Sequence, residues 1–479
     1  GQLVGNHTAY QFYIAVGGNY APGGAIYARG DVTVENSLLR GNGTFGERAD
    51  GGAIAAEGNV EIRSSTLRDN FVEGFDAGGG AVFSAGGLWL VDSVLDANRV
   101  EDGGGGGAKA QFALVTGSVI TGNRAAESAF GSGGGLALGS GGAIVASEIS
   151  GNATGGNGST GGGIAAGFGP LTVVNSTIAA NSLAGSGAFD GKGGGISVSG
   201  LLRLVNSTVT GNAAAGEGGD GGGIRLSDSF SGPGRLEIAN SLVLGNVATG
   251  TVAGAGADEI GFADDNPAVS EIAVIGPSLI GADAAAFDAS AANPLIVVGA
   301  GLVGNADPAA VFASTAEVAS DEDGDLLAET PTGVFAGRLL AGPGPVATAP
   351  LATGGPGIDA GEGSLALTLR EADSFDDRID FDGNGVDGET LPFSEALLRA
   401  DLNGDGDKAD VFATVADLPF DGRGPEAGAL RLSGAGVDLG AAERQGMELP
   451  SAIVTTPEDV VADDGLISLR EAVGHATSG

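Results

Sequence analysis

The residues best suited to chemistry are oxygen-bearing side chains spaced as in a calcium-binding loop. The segment from Asp401 to Asp407 reads Asp-Leu-Asn-Gly-Asp-Gly-Asp, and Asp410 follows shortly after it. Oxygen ligands at loop positions 1, 3 and 5, with glycine at position 6, match the start of an EF-hand-type loop. Phe412 stands where a bidentate Glu is expected, and the alternative is a solvated Asp/Gly turn. The predicted Ca²⁺ ligands of this loop are Asp401, Asn403, Asp405, Asp407 and Asp410.

A second acidic segment has a related pattern. Residues 380–387 read Asp-Phe-Asp-Gly-Asn-Gly-Val-Asp, again with oxygen ligands at positions 1, 3 and 5 and glycine at position 6. A third stretch, from Asp321 to Asp325, keeps only the mixture of acidic residues and glycine. The second set of predicted Ca²⁺ ligands is Asp380, Asp382, Asn384 and Asp387.

Side chains suited to catalysis are sparse. The chain has two histidines, His7 and His475, near opposite ends, and no cysteine. No zinc spacing exists, and a cysteine nucleophile is excluded. Enzymes that cleave polysaccharides need clustered carboxylates and basic groups beside aromatic rings. Here Lys and Arg are scattered singly along the first half, and there are four tyrosines. We therefore predict no catalytic residues and no enzymatic activity, and we expect Trp89 to pack within a strand.

The 479-residue chain has a formal net charge of −39 that is unevenly distributed. Residues 1–255 hold 20 acidic and 12 basic side chains, a net of −8, whereas residues 256–479 hold 40 and 9, a net of −31. Nucleic acid is disfavoured as a partner, because phosphate contacts require clustered Lys and Arg. No apolar run approaches the ~20 residues of a membrane-spanning helix. Divalent cations are the natural partners of the acidic half.

These candidate ligands follow a long repetitive region that must position them. A Gly-rich run, an alternating apolar run and a closing Asn recur along the first half. Successive closing asparagines are separated by 28, 28, 25, 29, 29, 31 and 34 residues, and they are Asn42, Asn70, Asn98, Asn123, Asn152, Asn181, Asn212 and Asn246. Each unit holds about three short alternating runs, which predict strands with one buried face. No unit holds a crossover helix, so the strands must pair between units.

The turn residues agree with a coil of stacked units. Glycine runs such as residues 133–135 permit positive φ and close backbone approach. We expect the closing Asn to tolerate the left-handed region. Asn-Ser pairs such as Asn175 with Ser176 recur at one position and predict stacked hydrogen-bond ladders. The changes in period predict insertions at one edge of the coil, in residues 71–77, 182–192 and 213–220.

The predicted fold is all-β: a right-handed, single-stranded parallel β-helix, or solenoid, with an irregular acidic C-terminal region. Residues 1–283 are predicted to form the stacked units, and residues 284–356 the last units and wrapping segments. Residues 357–447 are predicted to form an acidic cap with the Ca²⁺ loops. Residues 448–479 are predicted to be a linker and tail that joins a following unit.

Several motifs together resemble a known group of proteins. The repeats combine Gly-Gly-Gly-Ile, Asn-Ser-Thr-Ile and a closing Asn, and residues 468–472 read Ser-Leu-Arg-Glu-Ala. Further motifs lie in residues 293–295, 307–312, 332–337, 357–361, 418–424 and 437–443. Their order resembles that of bacterial surface β-helix proteins of the polymorphic outer-membrane and choice-of-anchor type. The Ser-Leu-Arg-Glu-Ala segment normally begins such a coil, so the chain resembles one repeat of a longer array, cut out of phase. Alternatively, the tail completes a neighbouring subunit.

This resemblance implies secretion and a structural or adhesive role at the cell surface. We therefore expect an extracellular unit, stabilised by Ca²⁺, that assembles head to tail with copies of itself into a filament, surface layer or giant adhesin. Such contacts would use the terminal strands, because neither end of the coil shows a cap in its sequence. The alternatives are a monomeric adhesin or carbohydrate-binding stalk that contacts cell-surface glycans and, less favoured, a polysaccharide lyase or hydrolase.

Overall fold

Alternating apolar residues form short strands that each bury one face. In the strand Val32–Glu35, Val32 and Val34 are buried while the two intervening side chains are exposed. This strand pairs in parallel with Val60–Arg63, which places Val32 beside Val60 and Val34 beside Ile62. Each strand thus pairs with its counterpart one repeat unit later. The computed structural model is a parallel β-solenoid, which confirms the predicted fold class, while the right-handedness of the coil stays a prediction.

The structure describes the repetitive region almost completely and the second half in short pieces. The described residues are 2–4, 7–9, 22–125, 131–156, 158–184, 192–216, 219–227, 234–249, 256–262, 271–274, 276–281, 296–297, 302–303, 306–320, 330–340, 346–352, 355–356, 358, 360–361 and 438–441. The predicted regions 357–447 and 448–479 fall almost wholly outside these ranges. The boundaries at 283, 356 and 447 therefore stay predictions.

Four long sheets follow the axis of the coil, each taking one strand from successive turns. The first consists of Ile26–Ala28, Ile54–Ala56, Val82–Ser84, Ala108–Ala110, Leu136–Leu138, Ile164–Ala166, Ile196–Ser199, Ile224–Ser227 and Ile260–Phe262. The second consists of Val32–Glu35, Val60–Arg63, Gly87–Val91, Phe112–Thr116, Gly142–Val145, Leu171–Val174, Leu201–Val205, Arg235–Ala239, Glu271–Val274 and Ile296–Val297.

The third and fourth sheets complete each turn of the coil. The third consists of Gln2–Val4, Leu38–Arg40, Thr66–Arg68, Val94–Asp96, Val119–Thr121, Glu148–Ser150, Thr177–Ala179, Thr208–Thr210, Leu242–Val243, Ser278–Ile280 and Leu302–Val303. The fourth consists of His7–Ala9, Gly43–Phe45, Phe71–Glu73, Arg99–Val100, Arg124–Ala125, Ala153–Thr154, Ser182–Leu183, Ala213–Ala214, Val247–Ala248 and Gly256–Ala257.

The prediction of three strands per unit was wrong, because it missed the fourth sheet. Its strands are two or three residues long and directly follow the closing Asn, as Ser182–Leu183 follows Asn181. Segments predicted as insertions, such as 71–77 and 182–192, begin with these strands. A strand of two residues is too short to show a period of two, so the alternation that marks the other sheets gives no indication here.

Three consecutive glycines in a repeat unit differ in backbone conformation and in the atoms that a side chain would contact. Gly133 has φ +64°, which most L-residues avoid. A Cβ on Gly134 would lie 2.2 Å from the carbonyl oxygen of Gly162, one turn further along the coil. A Cβ on Gly135 would lie 3.2 Å from the amide carbon of Asn152. The glycine run therefore lets the backbone reverse, lets adjacent turns approach and leaves room for the closing asparagine.

Stacked apolar side chains fill the interior of the coil. In the first sheet, one inward column runs through Ile54, Val82, Ala108, Leu136, Ile164, Ile196 and Ile224, each beside the next in register. All belong to one continuous core cluster that extends from Val32 to Ile280. β-Branched residues suit this arrangement, because they pack well on a pleated surface.

A few described elements do not belong to the four long sheets. Ala77–Gly78 and Gly103–Gly104 form a short two-stranded parallel ladder. Thr315–Ser320 and Thr330–Gly337 form an antiparallel hairpin. The helix Pro308–Val311 is preceded by Asp307, whose carboxylate accepts from the backbone N–H of Ala309 at 2.9 Å.

Candidate functional site

The closing asparagines form a buried polar column, here called the asparagine ladder, from Asn42 to Asn246. The backbone N–H and the side-chain Nδ2 of Asn152 both donate to Oδ1 of Asn181, each at 3.0 Å. Nδ2 of Asn152 also donates backwards to the carbonyl oxygen of Ile120 at 2.8 Å. All eight asparagines of the ladder are fully buried. Because each amide is both donor and acceptor, the column joins successive turns with satisfied polar groups.

The prediction for the backbone of these asparagines was wrong. The left-handed residue is the one before the ladder asparagine, as with Gly151 at φ +60° and Ala180 at φ +53°. The asparagine itself points into the coil. The Asn-Ser pairs behave in the opposite way, since Asn175 takes the left-handed conformation at φ +54°. The side-chain amide of Asn206, in another of these pairs, is buried without a hydrogen-bond partner among the described residues, so the asparagine ladder predicted at these pairs does not pass through it.

The serine ladder predicted from the Asn-Ser pairs is confirmed. The backbone N–H of Ser147 donates to Oγ of Ser176 at 3.1 Å, and Oγ of Ser147 donates to the carbonyl oxygen of Val145 at 2.7 Å. Backbone-to-hydroxyl contacts of this kind join Ser37, Ser65, Ser93, Ser118, Ser147, Ser176, Ser207, Ser241 and Ser278. Two polar columns thus connect the turns in addition to the four sheets.

A buried carboxylate occupies the C-terminal end of the asparagine ladder. Oε2 of Glu259 accepts from Nδ2 of Asn246 at 2.6 Å and from its backbone N–H at 3.1 Å. Oε1 accepts from the N–H of Gly245 at 2.9 Å. Glu259 is 1% exposed and takes the position where a further asparagine would lie. Hydrogen bonds to a charged acceptor are roughly twice as strong as neutral ones.

The fourth sheet ends with a strand of reversed direction at this end of the coil. Its last strand, Gly256–Ala257, runs antiparallel to Val247–Ala248, whereas all its earlier pairings are parallel. The expectation that neither end has its own cap stays a prediction, because Gly256–Ala257 is the last strand of its sheet and has one partner among the described residues. The second and third sheets continue to Ile296–Val297 and Leu302–Val303.

Segments from the second half of the chain pack against the outside of the third and fourth sheets. The N–H of Gly337, in the antiparallel hairpin, donates to Oγ1 of Thr210 at 3.0 Å. The N–H of Ala441 donates to Oγ1 of Thr208, also at 3.0 Å. Leu439 and Leu351 join Leu242 and Leu279 in an apolar cluster. The two hydrogen bonds link residues 127 and 233 positions apart, and no local sequence pattern indicates them.

Glu148 connects the coil to one of these outer segments. Its Oε2 accepts from the N–H of Ala347 at 2.7 Å, and its other oxygen accepts from the hydroxyl of Ser150. Burial raises the pKa of the Glu148 carboxyl, although both hydrogen bonds act in the opposite direction. The folded protein therefore holds this proton more tightly than the unfolded chain. This group's contribution to stability is present at low pH and is lost as the pH rises through the raised pKa.

The structure describes Trp89 but not the predicted Ca²⁺ ligands. Asp380, Asp382, Asn384, Asp387, Asp401, Asn403, Asp405, Asp407 and Asp410 all lie outside the described residues. Within the described part of the chain, no cluster of three or more His, Cys, Asp or Glu residues could hold a metal ion. Trp89 is 3% exposed and packs edge-on against Phe112, with ring centroids 5.2 Å apart. It packs on its strand as predicted.

Comparison with known proteins gives no relative for this chain. No family model, no curated protein and no solved structure matches it. Among the described residues, no helix is long and apolar enough to cross a membrane. The fold and the ladders are therefore established by the geometry of this chain alone.

Proposed function

We propose that the protein is a structural β-solenoid, a stiff extracellular unit that assembles head to tail into a cell-surface filament, surface layer or giant adhesin. The observation that supports this most is the asparagine ladder, which joins every turn from Asn42 to Asn246 without interruption. Its seven steps extend roughly 34 Å at the strand spacing of ~4.8 Å. Such continuous bonding suits a load-bearing rod.

The mechanical argument rests on how the turns are connected. A stacked repeat protein is stabilised by interfaces between neighbouring turns, so bending it requires these interfaces to open. In the middle of this coil, each interface combines four strand pairings with the apolar core and both polar ladders. Opening one would leave buried amides and hydroxyls without partners, at about 1–3 kcal/mol for each group.

The two ends of the coil favour directional assembly. At the N-terminal end, Gln2–Val4 and His7–Ala9 each pair with one strand among the described residues, and both pairings are parallel. At the C-terminal end, the last described strand of the fourth sheet, Gly256–Ala257, runs antiparallel to its partner. Unlike ends support a head-to-tail contact, which extends into a filament unless rotation closes it. The resemblance to bacterial surface β-helix proteins supports the same location and role.

Calcium binding belongs to this proposal. The spacing of Asp401, Asn403 and Asp405 favours Ca²⁺ in the acidic half, and so does that half's net charge. A bound cation would reduce the repulsion among carboxylates there and so favour contact between copies.

Solution scattering and light scattering of the purified chain test the proposal. We expect rod-shaped particles whose mean mass rises with protein concentration in Ca²⁺ and falls when a chelator is added. The variant Asp405→Ala should weaken the calcium response, whereas Glu35→Gln, which removes an exposed charge from the coil, should preserve it. Particles that stay monomeric at every concentration would refute the assembly, and indifference to the chelator would refute the role of calcium.

A further inference from the structure

A long groove follows the outer face of the first sheet. It has a volume of 770 Å³ and is lined by residues from seven consecutive turns, from Arg48 to Ser227. Six steps of ~4.8 Å give it a length of roughly 29 Å along the coil axis. This volume lies within the range typical of ligand sites, but the groove is elongated and open. Its shape therefore suits a linear polymer better than a compact metabolite.

Small side chains make the floor of the groove deep in its middle. Ala137, Ala165 and Ser197 are adjacent in register and alternate with inward residues of the core. Phe83 lies on the same outer face towards one end. The second sheet differs, since its outward positions on neighbouring turns hold the bulky side chains of Trp89 and Leu114. The first sheet therefore has short side chains at outward positions where the second has large ones.

Hydroxyl and amide groups form the sides of the groove. Ser132 and Thr160 belong to a column of backbone bridges along one side. On the other side lies Gln111, whose Nε2 donates to Oγ of Ser140 at 2.9 Å. Ser199 continues this side towards the C-terminal end. These groups both donate and accept hydrogen bonds, as the hydroxyls of a sugar do.

The charges in the groove balance, although the chain is strongly acidic. Its described lining includes two cations, Arg48 and Lys109, and two carboxylates, Asp50 and Asp76. Nε of Arg48 pairs with Oδ2 of Asp76 at 3.3 Å. An anionic polymer would meet two cations against the field of a protein of net charge −39. Electrostatics thus favour an uncharged ligand.

A peptide strand is the less suitable occupant. Peptides commonly bind sheets by pairing with a free backbone edge. The strands that floor this groove are paired in parallel on both sides, as Leu136–Leu138 is with Ala108–Ala110 and Ile164–Ala166. The groove therefore presents side chains instead of a free edge. An aromatic ring such as Phe83 beside hydroxyl groups matches the apolar faces and polar rims of sugar rings.

We propose that this groove binds a linear, uncharged oligosaccharide lying along the coil axis, with Phe83 packing against a sugar ring and the hydroxyl-lined sides contacting its hydroxyls. This site is independent of head-to-tail assembly, since it lies on the side of the coil and not at its ends. It gives a location and a ligand class to the carbohydrate-binding alternative.

Calorimetric titration with four neutral hexasaccharides tests the inference: cellohexaose, xylohexaose, mannohexaose and chitohexaose. Hexagalacturonate serves as the anionic comparison. We expect saturable binding of at least one neutral probe and at least tenfold weaker binding of the anionic one. Ala165→Tyr should fill the floor and abolish binding, and Phe83→Ala should weaken it about tenfold, as loss of one good aromatic contact does. Phe75→Ala is the matched control, because Phe75 is 72% exposed and does not line the groove.

Thermal unfolding of each variant shows whether it is folded before its binding is compared. If Ala165→Tyr does not fold, Phe83→Ala against Phe75→Ala decides the question. Absence of binding by all four neutral probes would overturn the inference. So would equal binding of hexagalacturonate, or a loss of affinity in Phe75→Ala as large as in Phe83→Ala. Because binding is measured on monomer and assembled fractions separately, failure here leaves the scaffold proposal intact.

Discussion

Neighbouring glycines in one repeat unit should differ sharply in their tolerance of alanine. At Gly134, a Cβ would lie 2.2 Å from the carbonyl oxygen of Gly162 and 2.4 Å from that of Ala153. Both are backbone atoms in the interior of the coil, so neither can move without separating the turns. Overpacking typically costs about 1–3 kcal/mol, and immovable neighbours raise the cost. We expect Gly134→Ala to lower the free energy of unfolding by about 3 kcal/mol or more.

Gly135→Ala is the matched comparison, one residue further along the chain. Its Cβ would lie 2.8 Å from the carbonyl oxygen of Gly163 and 3.2 Å from the amide carbon of Asn152. The equivalent positions in two earlier turns already hold Ala53 and Ala81, which are fully buried. Small shifts therefore accommodate a methyl group there, and alanine also restricts the unfolded chain, which contributes about 0.4–1 kcal/mol. We expect a net change within about 1 kcal/mol.

Urea unfolding followed by circular dichroism measures both variants, and amide hydrogen exchange locates the effect. The N–H of Gly134 donates to the carbonyl oxygen of Gly161 at 3.1 Å, and the N–H of Gly106 donates to that of Gly133, also at 3.1 Å. Faster exchange at these amides in Gly134→Ala, with little change in Gly135→Ala, is the expected pattern. Equal destabilisation by the two substitutions, or a neutral Gly134→Ala, would show that close approach of the turns does not require the second glycine.

Three further outcomes follow from the polar groups. Glu259→Ala should cost about 3 kcal/mol, because three buried N–H donors lose their acceptor, and faster amide exchange at the end of the ladder would report it. Glu148→Gln should flatten the decrease in stability that occurs as the pH rises through the raised pKa of Glu148, and the N–H of Ala347 keeps an acceptor in this variant. An unchanged pH profile in thermal unfolding would contradict this. Asp405→Ala should reduce the rise in unfolding temperature on adding Ca²⁺, and an equal reduction in Glu35→Gln would refute the predicted loop.

The stacking of the units could be predicted from sequence because its pattern repeats. Val32 and Val34 alternate with polar residues, and the same pattern recurs 28 residues later at Val60 and Ile62. The serine ladder was predicted for the same reason. The closing Asn was misread because Gly-Asn is common in turns, where a left-handed residue is expected. Only its spatial neighbours reveal that the preceding residue takes that conformation.

The outer contacts could not be predicted, for physical reasons that differ from case to case. Thr208 and Ala441 are 233 residues apart, and nothing in either local sequence indicates a partner. The fourth sheet has strands too short for a periodicity. The groove depends on small outward residues such as Ala165, which alternation alone treats as any other exposed position. The groove becomes deep because small residues lie at the same position on neighbouring turns, which no single residue reveals.

The bonds between the asparagines of the ladder all run from donor to acceptor in the same direction along the coil, and the last asparagine bonds to a carboxylate. Each bond between asparagines, from Asn42 to Asn246, runs from Nδ2 to the Oδ1 of the next turn, while the same Nδ2 also donates back to a carbonyl oxygen of the preceding turn. The last Nδ2 of the series, that of Asn246, donates to the carboxylate of Glu259. A carboxylate accepts hydrogen bonds but has none to donate. Glu259 therefore terminates the ladder: its carboxylate accepts the last bond of the series and has no N–H with which to continue it to another turn.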